Sequence, residues 1–250
     1  VLETLSLSFN FFDTFTLVHQ NLTQLEINLC GIKSISASIN LPNLKIFKAS
    51  MNKLTDLPDI STVMPKLEEI DISDNHLTAL PVMPSTLTKL NASRNEISQL
   101  TLGNMSALQE MDLSYNKLTA LNELPKTLVK LNVSNNEITK IAEQSLHLLE
   151  DLNIDFNKFT DFPEIELTKI AVYSLNNNSI SRIPDVLPQT LKHLSLKNNQ
   201  LAKLPDSLFA IKSLRLLNVS NNSITELPTS LLQSQIKSFN CSINPIKFVA

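Results

Sequence analysis

The stretch "LVKLNVSNNEITKI", Leu128 to Ile141, decides the fold because it recurs. Nearly the same string returns as "LRLLNVSNNSITEL" from Leu214, and looser versions stand at Leu87 ("LTKLNASRNEISQL") and Leu108 ("LQEMDLSYNKLTAL"). A repeated string is not by itself a unique site, and a period of twenty to fifty residues fixes the architecture before any local reading. Aligned on the last asparagine of each string, the anchors are Asn10, Cys30, Asn52, Asn75, Asn95, Asn116, Asn136, Asn157, Asn178, Asn199, Asn222 and Asn244, in steps of 20 to 23 residues.

With the anchor counted as position 9, the pattern is L-x-x-L-x-L-x-x-N-x-L-x-x-L. Positions 1, 4, 6, 11 and 14 are apolar in all twelve copies, counting Tyr173 and Cys241, in a chain that is 42% hydrophobic. The x-L-x-L-x segment alternates as a strand does, so positions 4 and 6 point inward and 3, 5 and 7 to the other face. Units stacked in register give a parallel sheet with strands about 4.8 Å apart, a curved rod on the order of 55 Å long. The anchor asparagine stands where the chain turns through the interior and leaves backbone groups in need of partners. Its amide offers both donors and an acceptor, so the asparagine column is structural.

This pattern resembles that of leucine-rich repeats over essentially the whole chain. The resemblance implies an α/β-type solenoid, a horseshoe with a parallel sheet on its concave face, and a single domain over residues 1–250 whose terminal caps are missing. In family terms Cys30 is a permitted substitute at the anchor, while Cys241 fills core position 6. Ten strand spacings, about 50 Å, separate the two cysteines, so they do not pair, and unpaired thiols point to a reducing compartment.

The outer segments "LPVMPSTLTKL", "LNELPKTLVKL" and "IPDVLPQTLKHL" carry proline, which predicts polyproline-like or irregular backbone. Single helical turns are expected at Asp206–Ile211 and Ala142–Leu149, which lack internal proline and open with acidic residues. The short Leu-Pro-bearing form resembles that of bacterial effectors of the YopM and IpaH type. That likeness implies a secreted virulence protein acting in a host cell, and in the IpaH branch a recognition arm for a ubiquitin ligase whose catalytic domain lies outside this chain. Leu204–Pro228 resembles instead the 23-residue repeats of intracellular signalling scaffolds and Roco-type GTPases, and internalin-like surface repeats supply a third comparison.

Other classes find little support. A net charge of -3 gives nucleic acid no basic surface, and no apolar run is long enough for membrane insertion. Two glycines, Gly31 and Gly103, do not make a phosphate-cradling loop, and Cys30, Cys241, His19, His76, His147 and His193 lack metal-ligand spacing. No cofactor or metal is therefore expected. His193, Ser195 and Lys197 share one strand face, but i, i+2 residues lie about 7 Å apart, too far for proton transfer, and no catalytic residue is assigned.

Function is then expected in protein–protein interaction on the concave face and its edge, written in positions 3, 5, 7 and 8, where copies differ. Position 3 alternates in sign through Glu69, Lys89, Glu110, Lys130 and Asp151. Position 8 carries Phe9, Leu29 and Met51 in the first three copies, then Tyr115 and Phe156, and with Ile46 at position 3 the first three predict an apolar patch. An absent cap would cover Phe9 and Leu29 equally well. In the opening copy this leaves Lys130, Asn132, Ser134 and Asn135, and the triplet Asn132-Val133-Ser134 doubles as a glycosylation signal for an extracellular ligand-binding domain.

Overall fold

The structure is a computed structural model that describes residues 1–249. The chain forms two compact units, Val1–Leu128 and Val129–Ala250, each a leucine-rich-repeat solenoid whose repeats each contribute one strand to a parallel sheet. In the first unit the strands are β1 Thr4–Ser6, β2 Gln24–Glu26, β3 Ile46–Lys48, β4 Glu69–Asp71, β5 Lys89–Asn91 and β6 Glu110–Asp112. In the second they are β7 Lys130–Asn132, β8 Asp151–Asn153, β9 Val172–Ser174, β10 His193–Ser195, β11 Leu216–Asn218 and β12 Ser238–Asn240.

Each strand holds positions 3, 4 and 5 of its repeat, and like pairs with like: Leu25 faces Phe47, Phe47 faces Ile70, Leu152 faces Tyr173 and Tyr173 faces Leu194. Position 4 is buried in every strand except the first and last, where Leu5 and Phe239 are half-buried, and its neighbours are not buried, as period-2 alternation requires. Leu25, Phe47, Leu152, Ile72, Ile154 and Val219 are fully inaccessible, so the apolar columns form the core. Position 14 packs less tightly, with Leu57, Leu80, Leu100 and Phe162 only half-buried.

The asparagine column works as its chemistry predicts. Asn95 Nδ2 donates to the carbonyls of Ala92 and Ser93 in its own repeat and of Ile72 in the one before, while Oδ1 accepts from Leu77 N–H. Asn75, Asn116, Asn157 and Asn222 repeat the arrangement and are all buried. At Cys30, Sγ donates to the Leu7 and Asn28 carbonyls, and Phe12 N–H turns to the Cys30 carbonyl in place of the missing side-chain oxygen. The cysteine thus fills the donor half of the asparagine role. Both cysteines are free thiols.

The outer face is mostly irregular, with short extended pairs such as Thr14–Phe15 against Ser34–Ile35. One expected helical turn is present, α2 at Asp206–Phe209, and two more occur at α1 Ile60–Val63 and a 3-10 segment Thr229–Gln233. The turn expected at Ala142–Leu149 is absent: Gln144–Ser145 is extended and pairs with Ile165–Glu166. Repeat length explains the difference. Asn52 to Asn75 and Asn199 to Asn222 span 23 residues and hold the two α-turns; Asn136 to Asn157 spans only 21. An extended residue advances about 3.3 Å and a helical one 1.5 Å, so the shorter repeat must stay extended to cross the same outer face.

Candidate partner-binding edge and concave face

At the end of each strand the chain turns sharply, and the residue before the anchor has positive φ in all twelve repeats, between 52° and 63°. This left-handed conformation costs an L-residue roughly 1 kcal/mol, less for asparagine and aspartate. Asp74, Asn135, Asn177, Asn198 and Asn221 follow that preference; Phe9, Leu29, Met51, Tyr115, Phe156 and Ile243 do not. All six apolar residues are exposed, Phe9 and Ile243 by about three-quarters (78% and 74%). The backbone ladder continues through the corner, Phe9 N–H donating to the Asn28 carbonyl and Leu29 N–H to that of Ser50. Phe9, Leu29 and Met51 therefore follow one another along the first unit's edge. Tyr115 stands three strand spacings beyond Met51, about 14 Å, with the Arg94 guanidinium 4.2 Å from its ring centroid and Asp74 beside Arg94.

Ile46 does not belong to that line of corners. It lies half-buried in β3, in register with Gln24 and Glu69. The charged ladder follows it: Glu69 pairs with Lys89 and Lys89 with Glu110 in the first unit, and Lys130 pairs with Asp151 in the second. Lys89 Nζ stands 3.7 Å from Glu69, both half-exposed, a contact worth under about 1 kcal/mol. Burial pushes the Asp151 carboxyl above its ordinary value, and Lys130 opposes this. Lys48 holds the Glu26 carboxyl below its ordinary value at 3.0 Å.

Positions 5 and 7 prove to be tied to each other. Asp71 Oδ1 accepts from both N–H and hydroxyl of Ser73, and Asn91, Asp112, Asn218 and Asn240 do the same for Ser93, Ser114, Ser220 and Ser242. Asn132 Oδ1 likewise accepts from Ser134 N–H. Where position 5 is serine the task passes to the preceding repeat: Asp155 accepts from Ser174 and Asn176 N–H, and Asn176 from Ser195 and Lys197 N–H. The Asn-x-Ser triplet is thus a side-chain turn that ends the strand. Of the four residues left to function in the opening repeat, Asn132, Ser134 and Asn135 shape the corner, while Lys130 projects into solvent. Ser195, already donating to Asn176, shares no hydrogen bond with His193.

A concave depression of about 360 Å³ in the second unit was not anticipated from sequence. Val172, His193 and Leu216 occupy position 3 of β9, β10 and β11 in register, beside Ser174, Ser195 and Asn218. The clue in the sequence was the end of charge alternation after Asp151, where two apolar residues enter the column. Among the described residues no group of His, Cys, Asp and Glu could hold a metal ion, and no helix is long and apolar enough to cross a membrane.

Strands, corners and anchors in this order define a repeat solenoid whose varied surface is a scaffold for protein interaction. The chain is a leucine-rich-repeat protein whose repeats resemble those of YopM. The Leucine Rich Repeat family profile matches residues 190–210 and 213–234. Comparison with curated protein sequences finds no match. Among solved structures, the leucine-rich repeat domain of APL1B is similar at 22% identity and TM-score 0.78, over 92% of this chain and 71% of that one. YopM, a leucine-rich effector protein from Yersinia pestis, is similar at 27% identity and TM-score 0.71, over 92% of this chain and 68% of that one. InlJ from Listeria monocytogenes follows at 22% and 0.69, over 91% of this chain and 60% of that one.

Proposed function

We propose that this chain binds a partner protein across the concave face and, above all, along the line of left-handed corners. The observation that carries the reading is the occupancy of those corners. Five repeats use asparagine or aspartate, which the conformation favours, whereas Phe9, Leu29 and Met51 place exposed apolar side chains in three successive repeats. A strained backbone bearing an apolar group in water is doubly unfavourable in the free protein, and contact with a partner is what offsets both terms. In the first unit the position-3 residues Ile46, Glu69, Lys89 and Glu110, with Tyr115 at the edge, would set register and charge preference around that anchor, and in the second unit Lys130, Asp151 and Phe156 would do the same for its own column and edge.

The likeness to the YopM effector supports an effector-type recognition arm, with a ligase or other catalytic domain, if present, carried elsewhere in the parent protein. The test is to replace Phe9, Leu29 and Met51 together by asparagine. Stability should hold or rise, because asparagine suits the corner, while capture of a partner from host-cell extract should drop at least tenfold against the unaltered chain. Equal capture by a folded variant removes the edge from the binding surface.

A further inference from the structure

Core position 4 is leucine, isoleucine, methionine or phenylalanine in every repeat except that of β9, where it is Tyr173. This side chain is 2% exposed, and its hydroxyl has no hydrogen-bond partner. Burial pushes its pKa far up, so it stays a neutral donor. Native interiors rarely leave such a group unsatisfied, so the hydroxyl stands as a buried donor in need of an acceptor.

Next to it lies a cavity of about 620 Å³ on the outer side of the second unit. Tyr173 lines this cavity together with residues of three successive outer segments, 143–145, 162–167 and 184–188. The Tyr173 backbone belongs to the opposite, concave face, so it is the ring that reaches the cavity. Phe162 packs edge-on against that ring at 5.4 Å, and Val186 stands on the rim almost wholly exposed. The charges lining it are all acidic: Glu143, Glu164 and Glu166. Glu166 accepts from Ser145 and faces His147, whereas Glu143 and Glu164 have no ion pair among the described residues.

The geometry points to a second binding site here, independent of the concave face and its edge, for an extended basic peptide segment. The apolar stem of an arginine or lysine lies on Phe162 and Val186, its cation reaches Glu143 and Glu164, and a peptide carbonyl accepts from the Tyr173 hydroxyl. A ligand with an apolar stem, a cation and a carbonyl acceptor matches the three kinds of group present, and the volume falls within the range of small-ligand clefts.

The chain has no tryptophan and two tyrosines, so in a Tyr115→Phe background Tyr173 is the sole strong fluorophore and reports occupancy directly. The probe is acetyl-leucyl-arginyl-leucinamide, titrated into the full 250-residue chain, with the citrulline-containing peptide and n-hexylamine as comparison arms. The arginine peptide should bind below millimolar concentration, at least tenfold tighter than either comparison. By calorimetry, Tyr173→Phe should weaken it several-fold while melting no lower than the parent, and Glu143→Gln with Glu164→Gln should weaken it tenfold and abolish its salt dependence. Absence of binding at millimolar peptide, or affinity unchanged in these folded variants, overturns the site. Hexylamine binding as tightly as the peptide overturns the peptide assignment.

Discussion

Replacing Asn95 by alanine tests how the asparagine column carries load. The substitution removes the acceptor of Leu77 N–H at 3.0 Å and the donors to Ile72, Ala92 and Ser93 at 3.0, 3.1 and 3.2 Å. The three carbonyls are not orphaned. Ile72 still receives Asn75 Nδ2, Ala92 receives Asn116 Nδ2, and Ser93 receives Asp74 N–H. Only the Leu77 N–H is left bare, at about 1 to 3 kcal/mol, and the weakened bonds with the small void add about 1 to 2 kcal/mol. Asn95→Ala should therefore cost about 3 kcal/mol in urea unfolding followed by circular dichroism, with the slope unchanged. Asn95→Asp keeps the acceptor but turns a carboxylate oxygen toward three carbonyls, which raises its folded pKa above the unfolded value of about 3.9. Its stability should then be greatest below that pH and fall as pH rises toward neutrality, to a loss of about 4 kcal/mol or more. A cost above about 6 kcal/mol refutes the sharing of the carbonyls, and an alanine cost under about 1 kcal/mol refutes the load assigned to the Asn95 amide. So does an aspartate variant equally stable at pH 3.5 and pH 7.

Three further outcomes are expected. Ile243→Asn should raise stability by about 1 kcal/mol, since a β-branched residue at φ 54° is the most strained of the corners; a lower melting temperature contradicts this. Asp151→Asn should raise the melting temperature at pH 7, because burial disfavours the charged carboxylate. That advantage should fade as pH falls through the raised folded pKa and vanish below the ordinary 3.8; a pH-independent difference counts against it. Finally, expression through a eukaryotic secretory pathway should leave Asn91, Asn132 and Asn218 without glycan by mass spectrometry, as each amide oxygen is held by the serine two residues on. High occupancy at any of them contradicts the side-chain turn.

The repeats and core were legible because burial is written directly into leucine columns; Leu25, Leu90 and Leu152 needed only the period to be placed. The asparagine column was equally plain, since few side chains can both donate and accept. The corners were harder. Phenylalanine or methionine at positive φ runs against local preference, and the clue lay in other copies, where Asn135, Asn177 and Asn198 stand in the same column. The tie between Asn132 and Ser134 was visible only as an i, i+2 spacing that also spells a glycosylation signal. At Ala142–Leu149 composition argues for a helical turn, yet the 21-residue length of that repeat decides otherwise.

Strand pairing keeps position 4 opposite position 4 although repeats differ by as much as three residues, and every difference is absorbed on the outer side. Insertions and losses there are silent on the inner surface. Exchange between unequal repeats, or duplication of one, would return a chain still in phase, so the inner surface can lengthen or be shuffled without renegotiating the interior.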